Sequence, residues 1–209
     1  MPSFYDLDER ARIALCVEAM GQKNTLMLRW ENLEAENTVS WHARSALAAK
    51  LLSDCASVAD LGCGGMTLET YLLPGTRYLP VDVTRRDERT LIADFNRQPP
   101  PSLEAEGVAC LGLLEYLYDA ESFLRQLRGH YRVAVVSYNP TDSIAPVPIR
   151  RSHAWVNDYS QSEFETAVAN SGWTIMECHP ISEGQLLWRL ESPEFRAADA
   201  EEAALTGSQ

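Results

Sequence analysis

The residues best able to do chemistry gather in the run Val58-Ala59-Asp60-Leu61-Gly62-Cys63-Gly64-Gly65. Glycines directly after an apolar stretch let the backbone turn tightly and approach a ligand with no side chain in between. A helix beginning beyond such a turn offers free amide donors. Asp60 ends the apolar stretch as a charge too costly to bury alone, so a cationic ligand group is its expected partner. A second acid, Asp82, closes Tyr78-Leu79-Pro80-Val81-Asp82. It lies about twenty residues on, where a carboxylate accepts both hydroxyls of a ribose. Ala93-Asp94-Phe95-Asn96 adds a polar group for an adenine amino group and an aromatic face for its ring.

These groups need elements to hold them. The spacing predicts strands at Ser57 to Leu61, Arg77 to Val83, Thr90 to Ala93, Gly107 to Leu111 and Tyr131 to Tyr138. The last is continuous in apolar residues, as a central parallel strand should be. A short helix is expected from Thr67 to Leu73. Asp119 should cap another that ends near Arg128, with Gly129 just past its end. A proline-containing loop runs from Asn139 to Asp158. Ser160 and Glu163 then form a capping box opening a helix through Asn170, closed by Gly172. Trp173 to Cys178 and Gln185 to Leu190 read as an antiparallel hairpin. The expected fold is α/β: a doubly wound, mostly parallel seven-stranded sheet with a terminal antiparallel strand pair and an N-terminal helical cap. The cap (1–53) shows helical spacing, as at Ile13, Val17 and Met20, with Ser40 capping a helix from Trp41 to Leu52. Residues 54–191 form the sheet domain. An acidic tail at 192–209 is expected to be frayed or loosely helical.

At this point the chain resembles the class I, Rossmann-like S-adenosylmethionine-dependent methyltransferases. Their acid followed by Gly-x-Gly is matched by Asp60, Gly62 and Gly64, and their acid at the end of the second strand by Asp82. Asp94 and Phe95 match the adenine-contacting pair. Leu113-Leu114-Glu115-Tyr116 matches the fourth-strand pattern, with tyrosine where histidine is frequent. Met66 replaces a third glycine, with Gly65 beside it to supply the slack. The resemblance spans Ser57 to about Leu190. It implies S-adenosylmethionine as cofactor, its amino-acid portion over Gly62, Cys63 and Gly64 with Asp60 near the ammonium. Asp82 would hold the ribose, and Asp94 and Phe95 would frame the adenine. The activity implied is O- or N-methylation of a small-molecule acceptor.

His153 is the candidate base, in the loop where acceptor contacts are usual in such enzymes; the competing reading is a plain surface histidine. Arg150 and Arg151 beside it either attract an anionic acceptor or pair with the acidic helices. Trp30 and Trp41 either pack the cap on the core or wall the acceptor pocket. Two rival functions use the same residues. One is an NADP-dependent oxidoreductase, which wants a glycine at Thr67 and whose ribose phosphate Asp82 would repel. The other is a catalytically silent relative serving as a binding or scaffold protein.

The chain has 209 residues, 30 acidic and 18 basic, for a formal charge of -12. Such a surface repels phosphate backbones, so nucleic acid is not an expected partner. No apolar run is long enough to span a bilayer, and no secretion signal opens the sequence, so a cytoplasmic location is expected. A homodimer is compatible with these features. The five cysteines are dispersed without a Cys-x-x-Cys pair, so reduced, mostly buried thiols are expected and no metal is.

Overall fold

The computed structural model describes residues 3–33, 39–143, 146–181 and 184–195. Seven strands form one sheet: β1 (Ser57–Leu61), β2 (Arg77–Asp82), β3 (Leu91–Ile92), β4 (Gly107–Cys110), β5 (Val133–Tyr138), β6 (Thr174–Pro180) and β7 (Leu186–Glu191). Their order is β3-β2-β1-β4-β5-β7-β6. Neighbours from β3 to β5 are parallel, and β7 runs antiparallel to both β5 and β6. Every residue of β1, β4 and β5 is buried, which explains their unbroken apolar character. At the edge, β3 exposes both of its residues and stays two residues long.

Five α-helices flank the sheet: α1 (Glu9–Gln22), α2 (Val39–Leu51), α3 (Ala120–Arg128), α4 (Val147–Ser152) and α5 (Gln161–Asn170). Asp119 caps α3 by accepting from the Ser122 amide, and α3 buries Phe123, Leu124 and Leu127 on the sheet. The Ser160–Glu163 capping box opens α5 as the sequence indicates. Behind it, Phe164 stacks on Tyr138 with centroids 4.6 Å apart and meets Trp188 at 4.7 Å. This aromatic column ties α5 to β5 and β7.

Several local expectations are corrected. The loop from Asn139 to Asp158 contains α4, for which Pro148 near the helix start supplies a compatible φ. Ser40 lies inside α2 rather than at its N-cap. Cys16, not Val17, is the buried residue of α1; Val17 is 56% exposed. Gly129 follows α3 with an ordinary φ of -75°, so a left-handed cap is not what it provides. The helix after the glycine turn is a 3-10 turn, Thr67–Tyr71, because Leu72-Leu73-Pro74-Gly75 ends it within five residues. The acidic tail beyond residue 195 lies outside the described residues. Among those described, no helix is long and apolar enough to cross a membrane.

Candidate active site

Strand order reverses between β1 and β4, so the carboxyl ends of these neighbours part into a crevice, the usual ligand position in an open α/β sheet. A cavity opens there. Gly62 and Asp82 line its floor, Asp94, Phe95 and Asn96 one side, Gly112, Leu113 and Tyr116 the other, while Thr25 and Trp30 of the N-terminal cap close it. The topology thus brings Gly62, Asp82, Asp94 and Phe95 into one space, as their order in the sequence suggests.

Asp82 is held by the chain itself. Its Oδ2 accepts from the Gly64 amide at 2.8 Å. Its Oδ1 accepts from the Thr84 amide (3.0 Å), the Thr84 hydroxyl (3.1 Å) and Arg86 (3.0 Å). Arg86 also donates to the Trp30 carbonyl at 3.0 Å, linking the acid to the cap. On the far side, Asp94 accepts from the Thr25 hydroxyl at 2.6 Å, and Asn96 donates to Thr25 and to the Tyr116 carbonyl. Phe95 leans on Phe123, 5.2 Å between centroids. Trp30 meets Tyr116 edge to face at 4.6 Å. The cap is therefore part of the cavity wall.

The glycine turn differs from expectation in two ways. The Gly62 and Cys63 amides both donate to the Val81 carbonyl, at 2.8 and 3.1 Å, and the Gly64 amide goes to Asp82, so these three donors are already used. Slack at the third-glycine position comes from Met66 itself, at φ 55°, and not from Gly65. That left-handed geometry is strained for a side-chain-bearing residue. Gly64, at φ 50°, needs its missing side chain: a Cβ would lie 3.2 Å from the Trp41 ring.

Asp60 is buried and accepts from the Tyr78 hydroxyl at 2.7 Å. Burial pushes its pKa up to about 7, against the opposing pull of that hydrogen bond and of Arg44. The expected cationic partner of Asp60 is thus supplied in part by the chain, from α2. Beyond β4, Glu115 is 0% exposed; its Oε1 accepts from the Asn139 amide and side chain at 3.0 and 2.7 Å, while Oε2 has no partner. Burial raises its pKa despite those bonds. Neither Arg44 nor the Asn139 clamp was legible in the sequence, although Trp41 and Arg44 stand three apart on the last helix before β1.

His153 is not among the residues lining the cavity. Its Nδ1 lies 3.2 Å from the Tyr5 hydroxyl, its ring packs on Trp155 at 5.1 Å, and burial beside Arg29 and Arg12 lowers its pKa. Arg150, 0% exposed, donates to Asp158 (2.8 Å), the Asn139 carbonyl (2.8 Å), the Tyr138 hydroxyl (3.0 Å) and the Asn157 carbonyl (3.0 Å). Arg151 donates to the Trp155 carbonyl at 2.7 Å and pairs with Asp158. Of the two readings for these arginines, pairing within the chain is the one observed, but the partner Asp158 lies in the loop between α4 and α5 and not on an acidic helix. The other histidines have local partners: His42 with Tyr71, His130 with Ser102, His179 with Glu177. The cysteines are free, four of five buried, and burial pushes Cys16 up to about 11 and Cys55 to about 12, which keeps them protonated and inert. Among the described residues no cluster of His, Cys, Asp or Glu could hold a metal ion.

No protein-family model and no curated protein matches the sequence. Solved structures do match. An O-methyltransferase of neocarzinostatin biosynthesis, in complex with S-adenosylmethionine and 2-hydroxy-5-methyl naphthoic acid, superposes with TM-score 0.58 at 15% identity. That match covers 88% of this chain and 69% of the other. Mitomycin 7-O-methyltransferase gives 0.63 at 16%, covering 90% and 70%. A methyltransferase of calicheamicin biosynthesis, in its SAH-bound form, gives 0.58 at 18%, covering 91% and 63%. The fold is that of the Rossmann-like methyltransferases.

Proposed function

We propose that this protein is an S-adenosylmethionine-dependent methyltransferase acting on a small-molecule acceptor by O- or N-methylation. The observation that carries the reading is the cavity at the strand-order reversal, which unites Gly62, Asp82, Asp94 and Phe95 under a lid of Trp30 and Tyr116. Its groups suit a nucleoside chemically. In this reading Asp82 takes the ribose hydroxyls, and Asp94 and Phe95 frame the adenine. Asp60, with the bare backbone of Gly62, Cys63 and Gly64, borders the amino-acid end.

When bound, the cofactor supplies a methyl group on a sulfonium, whose departure leaves a neutral thioether. The protein's task is then mainly to position two reactants and exclude water, and holding them in line supplies most of the advantage. Trp30, Tyr116 and Leu113 shape the dry part of the wall. His153 lies outside this wall, so a base drawn from it requires the acceptor to reach toward Tyr5; a weakly basic amine or an already ionised phenol needs none. Two of the matched structures are named as O-methyltransferases, one of mitomycin and one holding a naphthoic acid, which supports an oxygen acceptor on a small molecule.

Calorimetry with S-adenosylmethionine and with NADPH tests the reading. Binding of the methyl donor alone is expected. Binding of NADPH alone would support the oxidoreductase instead, and donor binding without methyl transfer to any of a panel of phenols, acids and amines would support a silent binding protein.

A further inference from the structure

The acid just past β3 is held by a chain of hydrogen bonds that starts in the sheet domain and ends in the cap. The Tyr118 amide donates to Asn96 Oδ1 at 3.1 Å, which fixes the orientation of the Asn96 side chain. Asn96 Nδ2 then donates to the Tyr116 carbonyl at 2.9 Å and to the Thr25 hydroxyl at 3.0 Å. A hydroxyl that accepts in this way still has its one hydrogen to give, and the acceptor beside it is Asp94 Oδ1, at 2.6 Å. The Asn96 backbone amide donates to the same oxygen at 3.1 Å. Oδ1 thus has two donors, whereas among the described residues Asp94 Oδ2 has no hydrogen bond. Arg97 Nε lies 3.6 Å from Oδ2, beyond bonding distance, on a side chain 66% exposed.

Thr25 reaches this acid because of the turn that ends α1. Lys23 adopts the left-handed conformation, φ 50°, and its amide bonds back to the Ala19 and Met20 carbonyls. Asn24 is then pinned to the sheet domain: its carbonyl accepts from the Tyr118 hydroxyl and its side chain from Arg97, both at 3.0 Å. Thr25 and Asp94 both line the cavity. An ionised carboxylate can only accept. With Oδ1 filled and its two donors holding the group still, the guest that suits Oδ2 is a donor, such as the exocyclic amino group of a purine. A carbonyl oxygen in that place sets acceptor against acceptor, and a buried polar group left unpaired costs more than a typical hydrogen bond contributes.

We infer that Thr25 is a positioning residue for purine selectivity: by donating to Asp94 Oδ1 it presents Oδ2 as a fixed acceptor, for a 6-amino purine and against a 6-oxo purine. This rests on the donor-binding reading above and deepens it by giving the cap a part in choosing the base. Docking of the cap and recognition of the base become one event, because the bond that orients the acid comes from the cap.

The test is calorimetry on the full chain with two ligands. They are S-adenosylhomocysteine and S-inosylhomocysteine, which carries a carbonyl oxygen in place of the 6-amino group. The wild type is expected to favour the adenine ligand by about tenfold or more, since a site built to bond a substrate group rejects the analogue lacking it. Thr25→Val keeps the shape of the side chain and removes its donor. That variant should lose most of the preference, with the affinity for S-inosylhomocysteine held or raised, because a carboxylate free to turn no longer opposes the carbonyl. Thr25→Ser, which retains the hydroxyl, should restore it. The inference is overturned if the wild type binds S-inosylhomocysteine as tightly as S-adenosylhomocysteine, a result needing no variant. It is equally overturned if Thr25→Val keeps the full preference, or weakens both ligands in parallel, which would make Thr25 a packing residue. A wild type that binds neither ligand sinks the donor-binding reading and this inference with it, whereas binding of both without preference sinks only the role of Thr25.

Discussion

Asp82 is the point where folding and ligand binding meet, and Asp82→Ala separates the two. The carboxylate accepts four hydrogen bonds, from the Gly64 amide, the Thr84 amide and hydroxyl, and Arg86. Its side chain is 5% exposed and that of Arg86 12%, so water replaces little of what is lost. Truncation leaves a nearly buried guanidinium unpaired and the glycine turn without its anchor. Breaking such a pair costs about 3–5 kcal/mol. At about 2–4 °C per kcal/mol for a chain of this size, the melting temperature should fall by roughly 6–20 °C. Urea unfolding followed by tryptophan fluorescence gives the free energy directly. Arg86→Met alone leaves three of the four bonds and should cost less. The double variant should cost less than the sum of the two, by at least ~1 kcal/mol, because both single changes remove the same contact. In whatever fraction stays folded, S-adenosylhomocysteine should bind about tenfold to a hundredfold more weakly, as a buried ribose loses charge-assisted bonds of 1–3 kcal/mol. An Asp82→Ala protein with an unchanged urea midpoint would refute the structural half of this reasoning. Unchanged ligand affinity would refute the other half.

Other expectations follow from the same geometry. Asp158→Ala should destabilise strongly, by about 3–5 kcal/mol, since it strands the buried Arg150 and the neighbouring Arg151; a urea midpoint within error of wild type would contradict this. Because the folded pKa of Asp60 is raised to about 7, the native state holds a proton there that the unfolded chain gives up near pH 4. Its contribution is therefore fully present below pH 4 and lost as pH rises through about 7. Urea midpoints should decline less steeply between pH 5 and 8 in Asp60→Asn than in wild type, and identical slopes would count against the assignment. Phe164→Ala opens the aromatic column between Tyr138 and Trp188 and should cost about 3–5 kcal/mol, read from the same unfolding curves. Trp30→Ala removes the lid over the cavity and should weaken S-adenosylhomocysteine binding by about tenfold while shifting the melting temperature little; a large loss of stability with unchanged affinity would make Trp30 a packing residue only.

The frame of the fold was readable because its signals are local. Runs such as Val133–Tyr138 are apolar throughout, as only a strand covered on both faces can be, and the Ser160–Glu163 box marks a helix start by its own hydrogen bonds. That Gly62, Asp82, Asp94 and Phe95 line one cavity follows from the same logic, since each sits at or just past a strand end and topology alone converges strand ends. What the sequence hid is long-range. That Arg44 reaches Gly112, that Asn139 clamps Glu115, and that Thr25 bonds Asp94 depend on how the cap docks, and no periodicity encodes docking. Arg150 and Arg151 were ambiguous for a related reason: a pair of basic residues in a loop reads alike whether it faces solvent or, as here, staples that loop through Asp158. The use of the turn amides is hidden for the same reason: the register of β2 beside β1 delivers the Val81 carbonyl to Gly62 and Cys63, which only pairing reveals.

The central claim is that the cavity at the β1/β4 crevice receives the nucleoside of the methyl donor, and a crystal grown or soaked with S-adenosylhomocysteine tests it most directly. Density for adenine between Phe95 and Trp30, with ribose hydroxyls on Asp82, is the predicted result. A saturated crystal whose crevice holds no ligand, or whose ligand lies elsewhere on the chain, would contradict it.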